Sequence, residues 1–224
     1  MIGISIAGFD PSGGAGILAD MKTFSSLGIH GTSVITSLTA QNPNKFFSSM
    51  PIAIDYISEQ FDSIMDQYKD EISYGKTGML YSKEIIKSVS KKLLEYNIKY
   101  VVDPVMVASS GGNLLSEGAD KSLDVLLKNA MLVTPNIQEA ETLSKIAINN
   151  VDDAIEASNE ISKLCNVLIT GGHLNGTNVL NINGEISIIK NKLIDTNNIH
   201  GSGCCLSAAI TSYLIKGETL KIAI

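Results

Sequence analysis

The residues with the clearest chemical potential lie in the stretch NNIHGSGCCLSAAITSYL, residues 197–214. Glycines just before a helix leave backbone N–H groups free at its positive end, so the turn Gly201–Cys204 is a candidate anion site. The alternative is a helix capped by Ser202, with two small cysteines packed against its neighbours.

A second glycine-rich stretch, GFDPSGGAGILAD at residues 8–20, follows a strand-like segment and opens a helical one. Gly14, Gly16 and Ala19 fit the pattern G-x-G-x-x-G/A, which indicates a dinucleotide site. Such a site needs an acid at the end of the second strand, where LTAQN offers the amide of Gln41 and no carboxylate. No Gly-Lys-Ser/Thr follows, so a Walker loop is excluded. The stretch is either a ligand loop or a turn that lets helix and strand pack closely.

The elements that must position these motifs alternate between apolar strands and amphipathic helices. This alternation predicts a largely parallel sheet covered on both faces. Strands are predicted at 2–8, 32–40, 72–80, 99–105, 130–135 and 166–172, and helices at 16–28, 54–68, 83–97, 118–129, 136–146, 151–164 and from about Gly203. Asn183-Gly184 within NVLNINGEISIIKNKLI predicts an antiparallel edge hairpin. In such sheets, ligands bind at the carboxyl ends of the strands.

The composition sets limits on the class of protein. The 224 residues are 44% hydrophobic and 18% charged, which predicts a single domain with a real core. The net charge of −6 and the lack of a basic run argue against nucleic acid or an anionic membrane as a partner. The apolar start MIGISIAG is too short for a signal peptide. Cys165, Cys204 and Cys205 form no disulfide or CxxC pattern, so we expect a cytoplasmic protein.

Six blocks then occur in a characteristic order: AGFDPSGGAGILADMKTFSSLGIHGTSVITSLTAQN, KTGML, VVDPVMVASSGG, LVTPNIQEAETL, VLITGGH and NIHGSGCCLSAAI. From residue 2 to about 216 the chain resembles the hydroxymethylpyrimidine/phosphomethylpyrimidine kinases of thiamine biosynthesis, in the ribokinase superfamily. The resemblance implies a three-layer α/β/α fold with a mostly parallel central sheet. It implies one kinase domain over 1–224 that lacks the final C-terminal helix of relatives.

By this resemblance Gly201, Ser202, Gly203 and Cys204 form the anion hole for the transferred phosphoryl group. Cys204 stands where sugar kinases carry an aspartate base, and because a helix N-terminus lowers the pKa of a thiol, we expect a basic thiolate there. Helical neighbours point about 100° apart, so both cysteines cannot face one ligand. The family usually has threonine at the next position, and we interpret Cys205 as a packing residue.

The resemblance also implies the acceptor pocket. Asp20 and Gln41 match its polar pyrimidine contacts, and Gly8, Met79 and Val105 match its walls. An amide suits an aminopyrimidine edge because it offers both a donor and an acceptor. Without the resemblance, Asp20 is an exposed charge on the first helix and Met79 is a core residue.

Asn136 and Glu139 match the Asn-x-x-Glu motif, in which Glu139 holds Mg²⁺ through water beside the nucleotide. One carboxylate near a phosphate suits Mg²⁺, which keeps several waters. Asn136 and Glu139 also fit a helix-capping box, and both interpretations can hold together. Asp103 belongs to the same nucleotide and magnesium centre. Thr170 stands where many relatives have a lysine that reaches the nucleotide phosphates.

The resemblance therefore implies an ATP- and Mg²⁺-dependent kinase. Its acceptor would be 4-amino-5-hydroxymethyl-2-methylpyrimidine and then the monophosphate of that alcohol. The family forms dimers, which implies a homodimer. Three alternatives stay open: a pyridoxal-type kinase, a pyrimidine- or nucleotide-binding module without catalysis, and a dinucleotide oxidoreductase.

Overall fold

The computed structural model describes residues 1–107, 111–192, 196 and 199–224, so parts of two motif blocks, 108–110 and 197–198, lie outside the described residues. The strands are β1 (Ile2–Phe9), β2 (His30–Asn42), β3 (Lys45–Pro51), β4 (Tyr74–Thr77), β5 (Lys99–Val102), β6 (Leu132–Val133), β7 (Asn166–Ile169), β8 (Thr177–Ile182) and β9 (Glu185–Lys190). The α-helices are α1 (Gly16–Ser26), α2 (Ile54–Tyr68), α3 (Lys83–Glu95), α4 (Leu123–Leu127), α5 (Ile137–Ser144), α6 (Val151–Ile161), α7 (Ser202–Ile215) and α8 (Leu220–Ala223).

All nine of these strands form one sheet, in the order β3-β2-β1-β4-β5-β6-β7-β8-β9. The six strands from β2 to β7 in that order run parallel, and the edges at β3 and at β8–β9 are antiparallel. The predicted edge hairpin is confirmed. Asn183 and Gly184 both have positive φ, at 53° and 86°, as a type I′ turn requires.

The strand β3 was not predicted from the sequence. Most of its residues are partly or fully exposed, and Ser48 and Ser49 interrupt its apolar residues. A strand without a buried face leaves no hydrophobic alternation to detect. Its conformation is instead set by pairing with β2 across the turn at 43–44.

Helices cover both faces of the sheet, which confirms the predicted three layers. One face packs against α2–α6, and its core includes Phe61, Ile86, Leu126, Ala140 and Ala157. The other face packs against α1, α7 and α8, with Phe24, Ala208, Ile210, Leu214 and Ala223. Successive residues of β5 point to opposite faces of the sheet. Tyr100 and Val102 therefore pack in the first core and Val101 packs in the second.

The order of strands creates a crevice at the carboxyl ends of β1 and β4. The chain passes from β1 to β2 on one side and later returns to β4 on the other side of β1. Ligand sites of open parallel sheets lie at such a switch point. Among the described helices, none has the length and apolar character needed to cross a membrane.

Candidate active site

The two glycine-rich stretches lie in direct contact at this crevice. A Cβ added to Gly201 would lie 1.8 Å from the Gly14 carbonyl oxygen, and one added to Gly16 would lie 2.2 Å from that of Gly8. Gly201 and Gly16 also have positive φ, at 79° and 56°. The close-packing interpretation of the GGAG stretch is therefore correct, because its glycines are required by backbone contacts.

Asp10 and His200 join the same two stretches. Asp10 accepts hydrogen bonds from the N–H groups of Ser12 and Ala15, each at 2.9 Å, and its Oδ2 lies 2.8 Å from His200 Nε2. Burial raises the pKa of the Asp10 carboxyl, but the bonds from His200, Ser12 and Ala15 lower it more, so the net pKa is below its ordinary value. The sequence analysis did not identify this pair.

The turn at the start of α7 has the geometry of an anion site. Gly201 is the N-cap residue and no side chain caps the helix, so the interpretation of Ser202 as the cap is wrong. Ser202 and Gly203 are exposed. The N–H groups of Gly203 and Cys204 belong to the first turn, where they have no intrahelical acceptor. We call residues Gly201–Cys204 the anion turn.

The Cys204 thiol is not the low-pKa group that its helix position predicted. Burial raises the pKa of Cys204 well above its ordinary value, and the charges of Asp103 and Asp20 raise it further. Lys76 and an N–H bond from Gly16 lower the pKa of Cys204 by less than this rise. The raised pKa favours the protonated thiol in the ligand-free protein.

Cys205 differs from its neighbour, and the interpretation of Cys205 as a packing residue is wrong. Cys205 is exposed, whereas Cys204 is partly buried. The rotation of about 100° between successive helical residues explains why the two thiols face different surroundings.

A buried lysine connects the predicted site residues on the α1 and α7 face of the sheet. Lys76 Nζ lies 2.9 Å from Asp20 Oδ1 and 3.7 Å from Asp103 Oδ2. The second oxygen of Asp20 accepts a hydrogen bond from Ser5 Oγ at 2.6 Å. Asp20 has no exposed surface, so the interpretation of this residue as a surface charge is wrong. We call Asp20, Lys76 and Asp103 the Lys76 cluster.

Lys76 was missed although it stands in the quoted block KTGML. The signal available was that Lys76 is the only charged residue in the predicted strand 72–80. A lysine is almost never fully buried unless it is paired, so such a position indicates a buried carboxylate partner. The sequence alone does not indicate which carboxylates these are.

The predicted walls of the acceptor pocket come together as an apolar surface. Met79 and Val105 pack in one cluster with Phe46 and Leu114, which were not predicted. A Cβ added to Gly8 would lie 2.9 Å from Met79 Sδ and from Ser37 Oγ, so a larger residue there would displace the side chains of this wall. We call Phe46, Met79, Val105 and Leu114 the apolar wall.

Gln41 lies at the edge of the apolar wall. It pairs with Phe46 across β2 and β3, at a point where the register shifts between Ala40 and Gln41. Its Oε1 is buried and has no hydrogen-bond partner. A buried amide oxygen without a partner is costly, so this atom is ready to accept a bond from a ligand.

Asn136, Glu139 and Thr170 lie together on the other side of the crevice. Asn136 and Glu139 form the predicted capping box, with both hydrogen bonds at 3.0 Å. Thr170 is bridged to Asn136 and donates its N–H to the Pro135 carbonyl at 2.9 Å. We call Asn136, Glu139 and Thr170 the nucleotide-side group.

Glu139 is a buried carboxylate that belongs to no ion pair among the residues that the structure describes. Burial raises its pKa to about 8, and the nearby charge of Asp103 contributes to the rise. The described residues contain no cluster of three or more His, Cys, Asp or Glu suited to a metal. Two carboxylates that repel each other fit a cation that takes few protein ligands and keeps its waters, as Mg²⁺ does.

Comparisons with known proteins agree on one kind of enzyme. A family model described as phosphomethylpyrimidine kinase matches residues 10–224. The chain is 36% identical over 228 residues to the hydroxymethylpyrimidine/phosphomethylpyrimidine kinase of Bacillus subtilis (strain 168), and the match covers 98% of this chain and 83% of that protein.

Solved structures show the same fold. The phosphomethylpyrimidine kinase of Clostridium difficile 630 superposes with a TM-score of 0.86 at 39% identity, covering 100% of this chain and 94% of that one. Pyridoxal kinase of Bacillus subtilis, solved as an ADP complex, superposes with a TM-score of 0.90 at 37% identity, covering 100% and 87%.

Proposed function

The chain belongs to the phosphomethylpyrimidine kinase family, and from this premise we propose how its own residues carry out the reaction. The protein is a phosphotransferase of thiamine biosynthesis. It phosphorylates 4-amino-5-hydroxymethyl-2-methylpyrimidine and then the resulting monophosphate, with ATP as the co-substrate. One observation supports the residue roles most strongly. Asp103 lies beneath the anion turn, with its carboxylate oxygens 3.6 and 3.8 Å from a Cβ added at Gly203, at a helix N-terminus that no side chain caps.

In this proposal the aminopyrimidine ring lies on the apolar wall beside Gly8. Gln41 Oε1 accepts a hydrogen bond from the ring amino group, which supplies the partner that this buried oxygen lacks. Asp20 lies at the base of the pocket, where Lys76 holds its carboxylate by an ion pair. The hydroxymethyl group then points towards Cys204.

The transfer step needs positioning and charge stabilisation more than a strong base. The hydroxyl oxygen forms a bond to the γ-phosphorus while the bond from that phosphorus to the β,γ-bridging oxygen breaks, and ADP leaves. The hydroxyl proton passes to the Cys204 sulfur as the thiol proton passes to Asp103. Burial raises the pKa of Asp103, so this carboxylate is a competent proton acceptor. The N–H groups of the anion turn stabilise the transferred phosphoryl oxygens.

Glu139 would hold Mg²⁺ through water, with Asn136 fixing the orientation of its carboxylate. When bound, the ion neutralises charge that develops on the phosphate oxygens. Thr170 would lie beside the nucleotide phosphates, since it is bridged to Asn136. A bound cation would stabilise the ionised form of Glu139, which burial disfavours.

We also infer a homodimer in a cytoplasmic setting. The edge strand β3 and the start of α2 expose large apolar side chains, including Phe47, Met50 and Tyr56. An unpaired edge strand with exposed apolar residues is a natural surface for a second copy. The three free cysteines suit a reducing compartment. Sedimentation of the wild type and of Phe47→Asp tests the dimer, which the substitution should dissociate.

The proposed function is tested by one panel of acceptors with ATP and Mg²⁺. The panel contains the hydroxymethylpyrimidine, its monophosphate, pyridoxal and ribose. We expect ADP release with the first two acceptors, and no release with either would contradict the proposal. Pyridoxal is the second candidate acceptor, because a pyridoxal kinase has the same fold at 37% identity.

A further inference from the structure

None of the proposed steps of phosphoryl transfer assigns a role to Lys76. It lies on β4, paired with Ser5 of β1 and Val101 of β5, and its side chain is fully buried. An added Cβ at Gly78 would lie 3.6 Å from Lys76 Nζ, so the ammonium reaches the carboxyl end of the strand. This is the edge at which the acceptor pocket and the anion turn meet.

The titratable groups around Lys76 come from three other elements. Asp20 faces it from α1, Asp103 from the segment after β5, and Cys204 from α7. Among the ion pairs of the described residues, Lys76 is the only cation paired with either carboxylate. Removing the ammonium would leave two buried acids without a cation.

Stability alone does not account for this arrangement. The cost of removing charges from water can exceed the attraction between them, and apolar residues of similar volume often stabilise a core equally well. A fully buried lysine with two carboxylates therefore indicates a role beyond folding. The position of Asp103 indicates what that role is, because its oxygens lie 3.6 and 3.8 Å from an added Cβ at Gly203 in the anion turn.

We propose that Lys76 is a positioning residue for phosphoryl transfer, whose ammonium joins Asp20 in the acceptor pocket to Asp103 beneath the anion turn. The ion pairs fix the distance between the bound alcohol and Cys204. The positive charge also offsets the two carboxylates close to the Cys204 sulfur. This inference rests on the proposed function, since that function assigns Asp20 and Cys204.

The test compares Lys76→Met with the double variant Asp20→Asn/Lys76→Met. The single variant leaves two unpaired acids and can fail to fold, whereas the double variant removes one of them. Lys99→Met is the matched control, because Lys99 is an exposed lysine on the neighbouring strand β5. Circular dichroism and thermal unfolding establish which variants are folded.

In every folded variant without Lys76 we expect kcat to fall about 100-fold, with the KM for ATP within about threefold of wild type. The double variant also raises the KM for the aminopyrimidine, because Asp20 is changed. Lys99→Met should retain wild-type kcat. A folded variant without Lys76 whose kcat stays within about twofold of wild type would overturn the proposal.

A second readout does not depend on turnover. The alkylation rate of Cys204 by iodoacetamide is measured at fixed pH in a Cys205→Ser background, with Cys204→Ala/Cys205→Ser as the blank. Losing the Lys76 ammonium should slow alkylation about tenfold, in Lys76→Met relative to wild type and in the double variant relative to Asp20→Asn, because Asp20 itself raises the pKa of Cys204. An unchanged rate in either folded pair would overturn the proposal. If the wild type releases no ADP with any acceptor, the proposed function fails, while the alkylation rates still decide the effect of Lys76 on Cys204.

Discussion

The two sides of the crevice carry their charges differently. On the acceptor side, the ammonium of Lys76 lies between the carboxylates of Asp20 and Asp103. On the nucleotide side, Glu139 is held by backbone N–H groups, and no ion pair of the described residues includes it. Both sides therefore bury carboxylates, but only the acceptor side supplies its own cation.

This difference indicates which side is complete before ligands bind. The Lys76 cluster is paired and hydrogen-bonded in the protein itself, so it can hold the acceptor pocket rigid. Glu139, whose pKa is raised to about 8, carries an uncompensated cost of burial that a bound cation would relieve. We infer that the nucleotide side reaches its working charge only when ATP and Mg²⁺ bind.

The comparison is tested most strongly at Cys204, whose neighbouring charges include Lys76 and Asp103 of the acceptor side. Cys204→Ala removes the group proposed to take the hydroxyl proton, and kcat should fall about 100-fold or more. Cys205→Ser is the matched control, because Cys205 is the next residue and is exposed. ADP release at saturating substrates measures both. Equal activity of the two variants would contradict the assignment of Cys204.

The next effect concerns the nucleotide side. Glu139→Gln keeps the size of the side chain but removes the charge proposed to hold Mg²⁺ through water. We expect the Mg²⁺ concentration for half-maximal activity to rise about 10- to 100-fold, with the KM for the aminopyrimidine unchanged. Glu156→Gln on the exposed surface of α6 is the control. An unchanged Mg²⁺ dependence would show that the nucleotide side does not rely on Glu139.

The sequence predicts the parts of this site that form within short stretches. The capping box at Asn136 and Glu139 spans four residues, and its spacing alone predicts both hydrogen bonds that the structure contains. The type I′ turn at Asn183-Gly184 is predictable for the same reason. The resemblance predicted that Met79 and Val105 line one wall of the pocket, and the structure places them in one apolar cluster.

Contacts between distant residues could not be predicted in this way. Lys76 contacts Asp20, which is 56 positions away in the sequence, and His200 contacts Asp10, which is 190 positions away. The pKa of Cys204 follows from such contacts, since burial and neighbouring carboxylates outweigh the local effect of the helix N-terminus. The effect of the helix N-terminus alone therefore predicted the wrong direction for the pKa of Cys204, because the neighbours of this thiol come from three other elements.

A smaller effect is expected where the acceptor side is joined to the anion turn. Asp10→Asn weakens a charged group with four hydrogen-bond contacts and should lower stability by about 2 kcal/mol at pH 7. The pKa of Asp10 lies below its ordinary value, so its contribution is present above about pH 4 and is lost as the pH falls through the folded-state pKa.

The difference in Tm between wild type and Asp10→Asn should therefore be about 5 °C at pH 7 and should shrink towards about pH 3. Thermal unfolding followed by circular dichroism measures it, with the exposed Asp70→Asn as the control. A difference that is the same at both pH values would mean that the charge of Asp10 does not stabilise the fold.

The smallest effect is expected from supplying the cation that the nucleotide side lacks. Thr170→Lys places an ammonium beside Asn136, and it removes only a hydroxyl contact of 3.4 Å to the Pro135 carbonyl. The KM for ATP should fall by up to about tenfold, which corresponds to about 1.4 kcal/mol, with kcat nearly unchanged. Ser63→Lys adds the same charge on the exposed surface of α2 and should leave the KM for ATP unchanged. If Thr170→Lys also leaves the KM for ATP unchanged, the anion turn and Mg²⁺ already neutralise the charge of the nucleotide phosphates. The two sides of the crevice would then differ in charge only in the unliganded protein.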